Sequence, residues 1–311
     1  MQWNEMKADL NAFVFPERFT NLLSAATAFR LWKVKIQASG LATFVHDQVK
    51  EGPTPKARHQ FTPAVFASYK PFDSSDFSVR TFYKRIFRMP TFNDLYYADM
   101  GNSKLNPEYV IQYDVGIAYK KTWQHRFFYQ FRLQADGYYN KVKDKIIAYP
   151  KGQQFRWTML NLGRVEIKGV DISAETTVNP AEDLYVTLRA QYTYQKAQDF
   201  TDPSDTYYAD QIPYIPWHSG SAIMQASWHG WNMNYSFIYV GERYNQQENI
   251  KYNYTQPWYT SDLSFSKEFR AKFGKWKTAV EVNNLLSQDY DVILNYPMPK
   301  RNYKISLTVE L

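Results

Sequence analysis

An all-β chain, folded as a transmembrane antiparallel β-barrel of about fourteen strands, is the architecture this 311-residue sequence predicts. Three observations predict it. Apolar and polar residues alternate strictly over stretches of roughly 10–14 residues, the period at which successive side chains point to opposite faces of a sheet. Such runs exceed the about five or six residues of an ordinary strand and approach the length a tilted strand needs to cross a bilayer. The connections, finally, alternate between short and long, as they do when tight turns close one end of a barrel and loops crown the other.

Composition agrees. Tyr 26, Phe 21 and Trp 9 stand against only Gly 12, and amphipathic Tyr and Trp collect where a protein meets both apolar and wet surroundings. A chain that is 44% apolar does not belong to the disordered class, and no run of about 18 apolar residues offers a helical span. With Cys 0, disulfides and thiolate metal sites are excluded.

In chain order the alternation predicts strands at 3–10, with Met6, Ala8 and Leu10 on one face, and at 19–29, with Phe19, Leu23, Ala25 and Phe29. Strands at 31–46, 61–71 and 76–88 follow, then 108–120, where Tyr109, Ile111, Tyr113, Val115, Ile117 and Tyr119 share a face. At 126–140 Phe127, Tyr129, Phe131 and Leu133 alternate with Phe128, Gln130, Arg132 and Gln134. Next come 164–179 and 184–196, the latter with Leu184, Val186, Leu188 and Ala190 against Tyr185, Thr187, Arg189 and Gln191. Residues 211–241 contain no Lys, Arg, Asp or Glu, yet Pro213 and Pro216 break any helix there. They read instead as strands 217–229 and 231–242 about a turn at His229-Gly230, with Ala222, Met224, Ala226 and Trp228 facing the same way as Trp231, Met233, Tyr235 and Phe237. The last strands are 258–270, 276–286 and 301–311, where Tyr303, Ile305, Leu307, Val309 and Leu311 alternate with Lys304, Ser306, Thr308 and Glu310.

Short joints are expected at 121–125, 180–183, 229–231 and 271–275, and long ones at 47–60, 89–107, 141–162, 197–214, 243–257 and 287–300. No helix is expected. The apolar faces would meet lipid and the polar faces a wet lumen, while Tyr119, Trp123, Trp228, Trp231, Trp258, Tyr259 and Trp276 would supply interfacial girdles. A soluble β-sandwich is the alternative, but its turns would recur every 8–12 residues or so, closer than here.

Residues 82–108, FYKRIFRMPTFNDLYYADMGNSKLNPE, resemble TonB-dependent outer-membrane receptors. The aromatic-Arg-x-Pro box matches at Phe87, Arg88 and Pro90, and the L-x-P-E box at Leu105, Pro107 and Glu108. GRVEIKGVDISAE at 163–175, with Asp171 at an acidic position, VNNLLSQDY at 282–290 and the closing run from Tyr296 match the same family in order. The wording FRMPTFNDLYY is similar to receptors of Bacteroidota. The resemblance implies a barrel of about 22 strands around a plug. Residues 1–311 then read as one partial barrel domain, fourteen strands with the plug domain absent and with TonB engaged only through a missing N-terminal region.

It further implies uptake of a scarce nutrient such as a ferric siderophore or cobalamin, at the cell outer membrane, with lipid and lipopolysaccharide as surroundings. Haem is disfavoured because no His lies between Met89 and Gly101, and carbohydrate uptake by the wording of the motifs. A passive 14-stranded channel and a non-transporting fragment are the rival readings.

Ligand contact is expected in the long loops, at Tyr96, Tyr97, Tyr207, Tyr208, Tyr244, Tyr252 and Tyr254, since aromatic side chains stack on a ligand at little entropic cost. Solvated loops are polar and aromatic without a ligand too. Arg88 could also meet ligand, but it reads first as a lumen-facing residue buttressing the barrel wall. Asp199, Asp202, Asp205 and Asp210 form an acidic cluster whose spacing is not that of a calcium loop. Lys141, Lys143, Lys145, Lys151, Arg156 and Arg164 surround one long loop and suit lipopolysaccharide phosphates. The five His are scattered and no phosphate-binding glycine loop occurs, so the residues nominate no enzyme, no cofactor and no metal, and the interspersed acids argue against nucleic acid.

Overall fold

A computed structural model describes residues 1–9, 13–51, 55–97, 100–123, 127–150 and 157–310. Leu10, His125, Lys151, Arg156 and Leu311 lie outside the described residues. One 14-stranded antiparallel sheet dominates, each strand paired with its sequence neighbours. Its strands are β1 (Gln2–Glu5), β2 (Glu17–Leu31), β3 (Val34–Gln48), β4 (Arg58–Tyr69), β5 (Asp76–Arg88), β6 (Glu108–Thr122) and β7 (Phe128–Pro150). They continue with β8 (Trp157–Ala181), β9 (Leu184–Asp199), β10 (His218–Trp228), β11 (Trp231–Val240), β12 (Trp258–Ala271), β13 (Gly274–Asn283) and β14 (Asn302–Glu310). The sheet is open, with β1 and β14 as its edges.

All fourteen expected strands are present, with three differences in extent. The first spans Gln2–Glu5 rather than 3–10. β7 and β8 run on into the expected 141–162 loop, pairing from Lys143↔Arg164 to Pro150↔Trp157, because the alternation there is masked by lysines and by Asp144, which takes a left-handed φ of 54°. The expectation of no helix is also corrected. Phe92–Tyr96 form a helix, α1, whose five residues are too few to show a 3.6-residue period, and a single 3-10 turn occupies Lys251–Asn253. Among the described residues no helix is long and apolar enough to cross a membrane, which says nothing of strands.

Register bears out the face assignments of the β10–β11 hairpin, whereas Met6 and Ala8, expected to share a face of the first strand, lie beyond its end at Glu5. In the β10–β11 hairpin Ala222 pairs with Phe237, Met224 with Tyr235, Ala226 with Met233 and Trp228 with Trp231, so the apolar side chains form one face. His229 (φ 44°) and Gly230 (φ 80°) turn the chain in two residues, both left-handed, as a tight hairpin with right-twisted strands requires. On β14, Tyr303, Ile305 and Leu307 are 69%, 77% and 61% exposed to surroundings. Apolar faces this extensive are rare on soluble monomers and belong against lipid.

The sheet itself encloses little. The buried apolar clusters lie at the long-loop end, where β7 and β8 project: Val142, Leu162, Val165 and Ala197 cover Ile212 from the loop after β9. Leu95, Leu105 and Ile146 form a second cluster with Phe92, Tyr96 and Met159. These anchors hold the loops in place.

Candidate ligand-binding loops and inner face

The chain between β5 and β6 forms a strap built from the residues of both family boxes. Thr91 caps α1, its hydroxyl accepting from the Asp94 amide at 3.1 Å while the Asp94 carboxylate accepts from the Thr91 amide at 2.8 Å. Arg88 meets Asp94 at 3.1 Å and Glu108 at 3.7 Å, and Glu108 also accepts from the Ile146 amide at 2.9 Å. Phe87 packs on Tyr109 with centroids 5.4 Å apart, and Pro90, Leu105 and Pro107 are buried. Arg88 thus has the surroundings of a buttress. A residue outside both boxes completes the strap: Arg18 of β2 donates through Nη1 to the Pro90 carbonyl at 2.7 Å and lies 5.0 Å over the Phe92 ring.

The three following loops are stitched to one another. Asn249 accepts from the Gln211 amide at 2.7 Å and donates to the Gln211 carbonyl at 3.1 Å, in the manner of a β-bridge. Its own amide donates to Asp210 at 2.9 Å, and the Thr206 hydroxyl to Glu248 at 2.6 Å. Arg243, only 2% exposed, reaches the Asp291 carbonyl at 3.0 Å and so ties in the loop before β14; burial pulls its pKa down. The VNNLLSQDY box is a turn in that same loop. Buried Asn284 (φ 50°) donates to the Gln288 carbonyl at 2.8 Å and accepts from the Gln288 amide at 2.8 Å, while Tyr290 stacks on Trp258 at 4.6 Å.

The tyrosines expected to meet ligand fall into two places. Tyr207 and Tyr208 stand on the loop after β9; Tyr244, Tyr252 and Tyr254 stand on the loop it is bonded to, with Tyr244 and Tyr254 edge to face at 6.0 Å. Tyr252 is 78% exposed and Tyr208 40%. Tyr254 donates to Glu242 at 3.2 Å. Tyr96 and Tyr97 belong to the strap, and Tyr96 is half-buried, which with the Asp47 carboxylate nearby raises its phenol pKa. Asp202 is occupied by the Ser204 amide and hydroxyl, at 2.9 and 2.8 Å. Among the described residues no group of three His, Asp or Glu is placed to hold a metal ion.

The polar face carries an arrangement that sequence reading did not assemble. Ser68, Arg80, Gly116, Asp136, Asp171 and Thr193 are successive register partners across six strands, one straight row. Arg80 grips Asp136 with bonds of 2.5 to 3.0 Å in a groove of about 520 Å³ that Lys35, Asp114 and Asp171 also line. Alternation alone placed these residues on one face; which strand positions lie level with which depends on turn lengths across more than 100 residues.

An antiparallel sheet of long strands, one face apolar and exposed, the other charged, with interlocked loops at a single end, defines the wall of a membrane-spanning β-barrel. The chain belongs to the TonB dependent receptor-like β-barrel family, whose model matches residues 23–285. It is 26% identical over 227 residues to the vitamin B12 transporter BtuB of Photobacterium profundum, covering 68% of this chain and 34% of that protein. To the BtuB of Vibrio vulnificus it is 35% identical over 89 residues, 28% of this chain and 13% of that one.

Among solved structures, the ferric-catecholate import receptor Fiu from K12 E. coli superposes with a TM-score of 0.70 at 14% identity, covering 94% of this chain and 45% of Fiu. BauA, the ferric preacinetobactin receptor of Acinetobacter baumannii, gives 0.69 at 16%, covering 95% and 43%. At such identities these likenesses show the fold. The chain spans less than half the length of the proteins it matches.

Proposed function

We propose that the chain forms the wall and ligand-facing loops of a receptor in the cell outer membrane that imports a scarce nutrient such as a ferric siderophore or cobalamin. The observation that carries this reading is the likeness to a vitamin B12 transporter over 227 residues. In support stand the stitched loops, whose tyrosines are held ready rather than ordered on contact, so binding costs less side-chain entropy. Tyr207, Tyr208, Tyr244, Tyr252 and Tyr254 meet the ligand in this reading, with Tyr96 and Tyr97 contributing from the strap. The TonB complex is the energising partner in this reading.

Titrating the purified chain in detergent micelles with cyanocobalamin, and separately with ferric catecholate and ferric hydroxamate siderophores, tests the reading. Saturable binding of one ligand, weakened by Tyr244→Ala or Tyr254→Ala, is expected; no binding of any of them overturns it. The passive-channel alternative predicts steady ohmic conductance in planar bilayers. The unpaired edges β1 and β14 weigh against that outcome.

A further inference from the structure

The lipid-side face of β7, β8 and β9 carries an unusual concentration of cations at the loop end. Tyr139, Lys168 and Lys196 are register partners in one row, and Tyr139 continues a line of aromatics through Tyr113, 6.4 Å away, and Tyr83, 5.3 Å beyond. One step nearer the loops Lys141 pairs with Glu166, and one step further Lys143 pairs with Arg164. Lys141, Lys143, Arg164 and Lys168 are all exposed on the face that holds the apolar side chains of the same strands, and Glu166 is the one carboxylate between them. Arg164 engages it at 2.5 Å and Lys168 at 3.8 Å, so it neutralises about one of the four charges. The Tyr139 ring is flanked by two ammonium groups, Lys168 at 5.3 Å and Lys141 at 5.5 Å from its centroid.

A tyrosine row marks the depth at which hydrocarbon gives way to headgroups. Cations fixed immediately above that row, on the lipid side, lie where phosphates of a bilayer leaflet lie, and guanidinium and ammonium groups bind phosphate oxygens by charge-assisted hydrogen bonds.

We infer that Lys141, Lys143, Arg164 and Lys168 form a binding site for the phosphorylated headgroup of lipid A, with its acyl chains against the apolar face below. The inference rests on the outer-membrane placement proposed above. Tyr139 holds Lys141 and Lys168 over its ring, and Glu166 orients Arg164, so the cations are presented rather than dispersed.

The test is native mass spectrometry of the full chain in micelles with bisphosphorylated lipid A, with lipid A stripped of both phosphates, and with inorganic phosphate as competitor. Bound bisphosphorylated lipid A is expected, retained at least fivefold over the stripped form. Replacing all four cations (Lys141→Gln, Lys143→Gln, Arg164→Gln, Lys168→Gln) removes that preference, while the short-turn control Lys121→Gln/Lys272→Gln keeps it. Equal retention of the stripped lipid by the unaltered chain, or an unchanged preference in the fourfold variant, overturns the site. The stripped-lipid comparison needs no variant and so stands even if the fourfold variant does not fold. Displacement by millimolar inorganic phosphate also overturns it, by showing a site for the free anion. Membrane fractionation tests the placement separately: a chain absent from the outer membrane sinks the receptor reading whatever lipid it retains.

Discussion

Arg18 and Asp47 face one another across β2 and β3 in a two-pronged ion pair, Nε to Oδ1 and Nη2 to Oδ2 both at 2.7 Å, with the two residues only 8% and 4% exposed. The third arm of the guanidinium holds the Pro90 carbonyl, so one buried charge fastens the strap to the wall. Removing a single partner leaves the other charged and buried, which costs more than the pair contributes. Arg18→Met is therefore expected to destabilise by about 3–5 kcal/mol, and Arg18→Met/Asp47→Leu by much less. Denaturant titration of both variants, with hydrogen exchange at residues 91–96 as local readout, checks the order; equal losses would refute it.

Gly116 is needed for a different pair. A Cβ there would collide with the carboxylate of Asp136, the partner of Arg80. Gly116→Ala should break that pair, and in a double-mutant cycle with Asp136→Ala the clash disappears, so the two losses should not add. Additive losses in thermal melts would count against this account.

The Arg18 and Gly116 relationships show where reading from sequence stops. Alternation located thirteen of the fourteen strands and paired the β10–β11 faces correctly, because burial on one side of a sheet imposes period two on the residues themselves, but it set the first strand on Met6 and Ala8, past its end at Glu5. Thr91 and Asp94 form a capping box in T-x-x-D order, a local signal of α1 that the search for period passed over. What stayed hidden are partners set by register and by loop packing: Arg18 with Pro90, Asn249 with Gln211, and the row from Ser68 to Thr193. The tyrosines of the loops were found by type alone, and their division between strap and stitched loops follows from packing that no local pattern encodes.

Arg88 should behave as a buttress. Its side chain is 43% exposed, so its pairs with Asp94 and Glu108 are screened and worth about 1 kcal/mol or less. Arg88→Gln is expected to lower stability by that amount and to leave ligand affinity unchanged in the micelle titration. A large affinity loss at unchanged stability would make Arg88 a contact residue instead.

Alkaline pH should loosen the strap through Tyr96. Burial, reinforced by Asp47, holds its phenol pKa above the ordinary value of about 10. The unfolded chain then gives up this proton first, so the contribution is complete below about pH 10 and is lost as pH rises from there through the raised folded value. Tyr96→Phe, which cannot ionise, should flatten part of the stability decline above about pH 10, the ordinary tyrosine value. Identical pH profiles for the two proteins would exclude Tyr96 as the titrating group.

Asn249 is the residue on which the stitched loops depend most. Its side chain satisfies both the amide and the carbonyl of Gln211, and its Nδ2 also reaches the Gln247 carbonyl at 3.2 Å. Asn249→Ala removes these bonds and leaves the Gln211 groups to find water, at a cost of about 1–3 kcal/mol. Asn249→Asp keeps the acceptor but turns a carboxylate oxygen toward the Gln211 carbonyl, so it should be no better than alanine despite its shape. Because the loop after β9 and the loop after β11 are joined here, both variants should speed hydrogen exchange at Gln211 and Asn253 together. They should weaken ligand binding through a faster off-rate, since tyrosines no longer held must be ordered on contact. Faster exchange at one loop only would mean that Thr206 with Glu248 and Tyr214 with Tyr244 suffice to hold the pair, and the stitch at Asn249 would lose its assigned part.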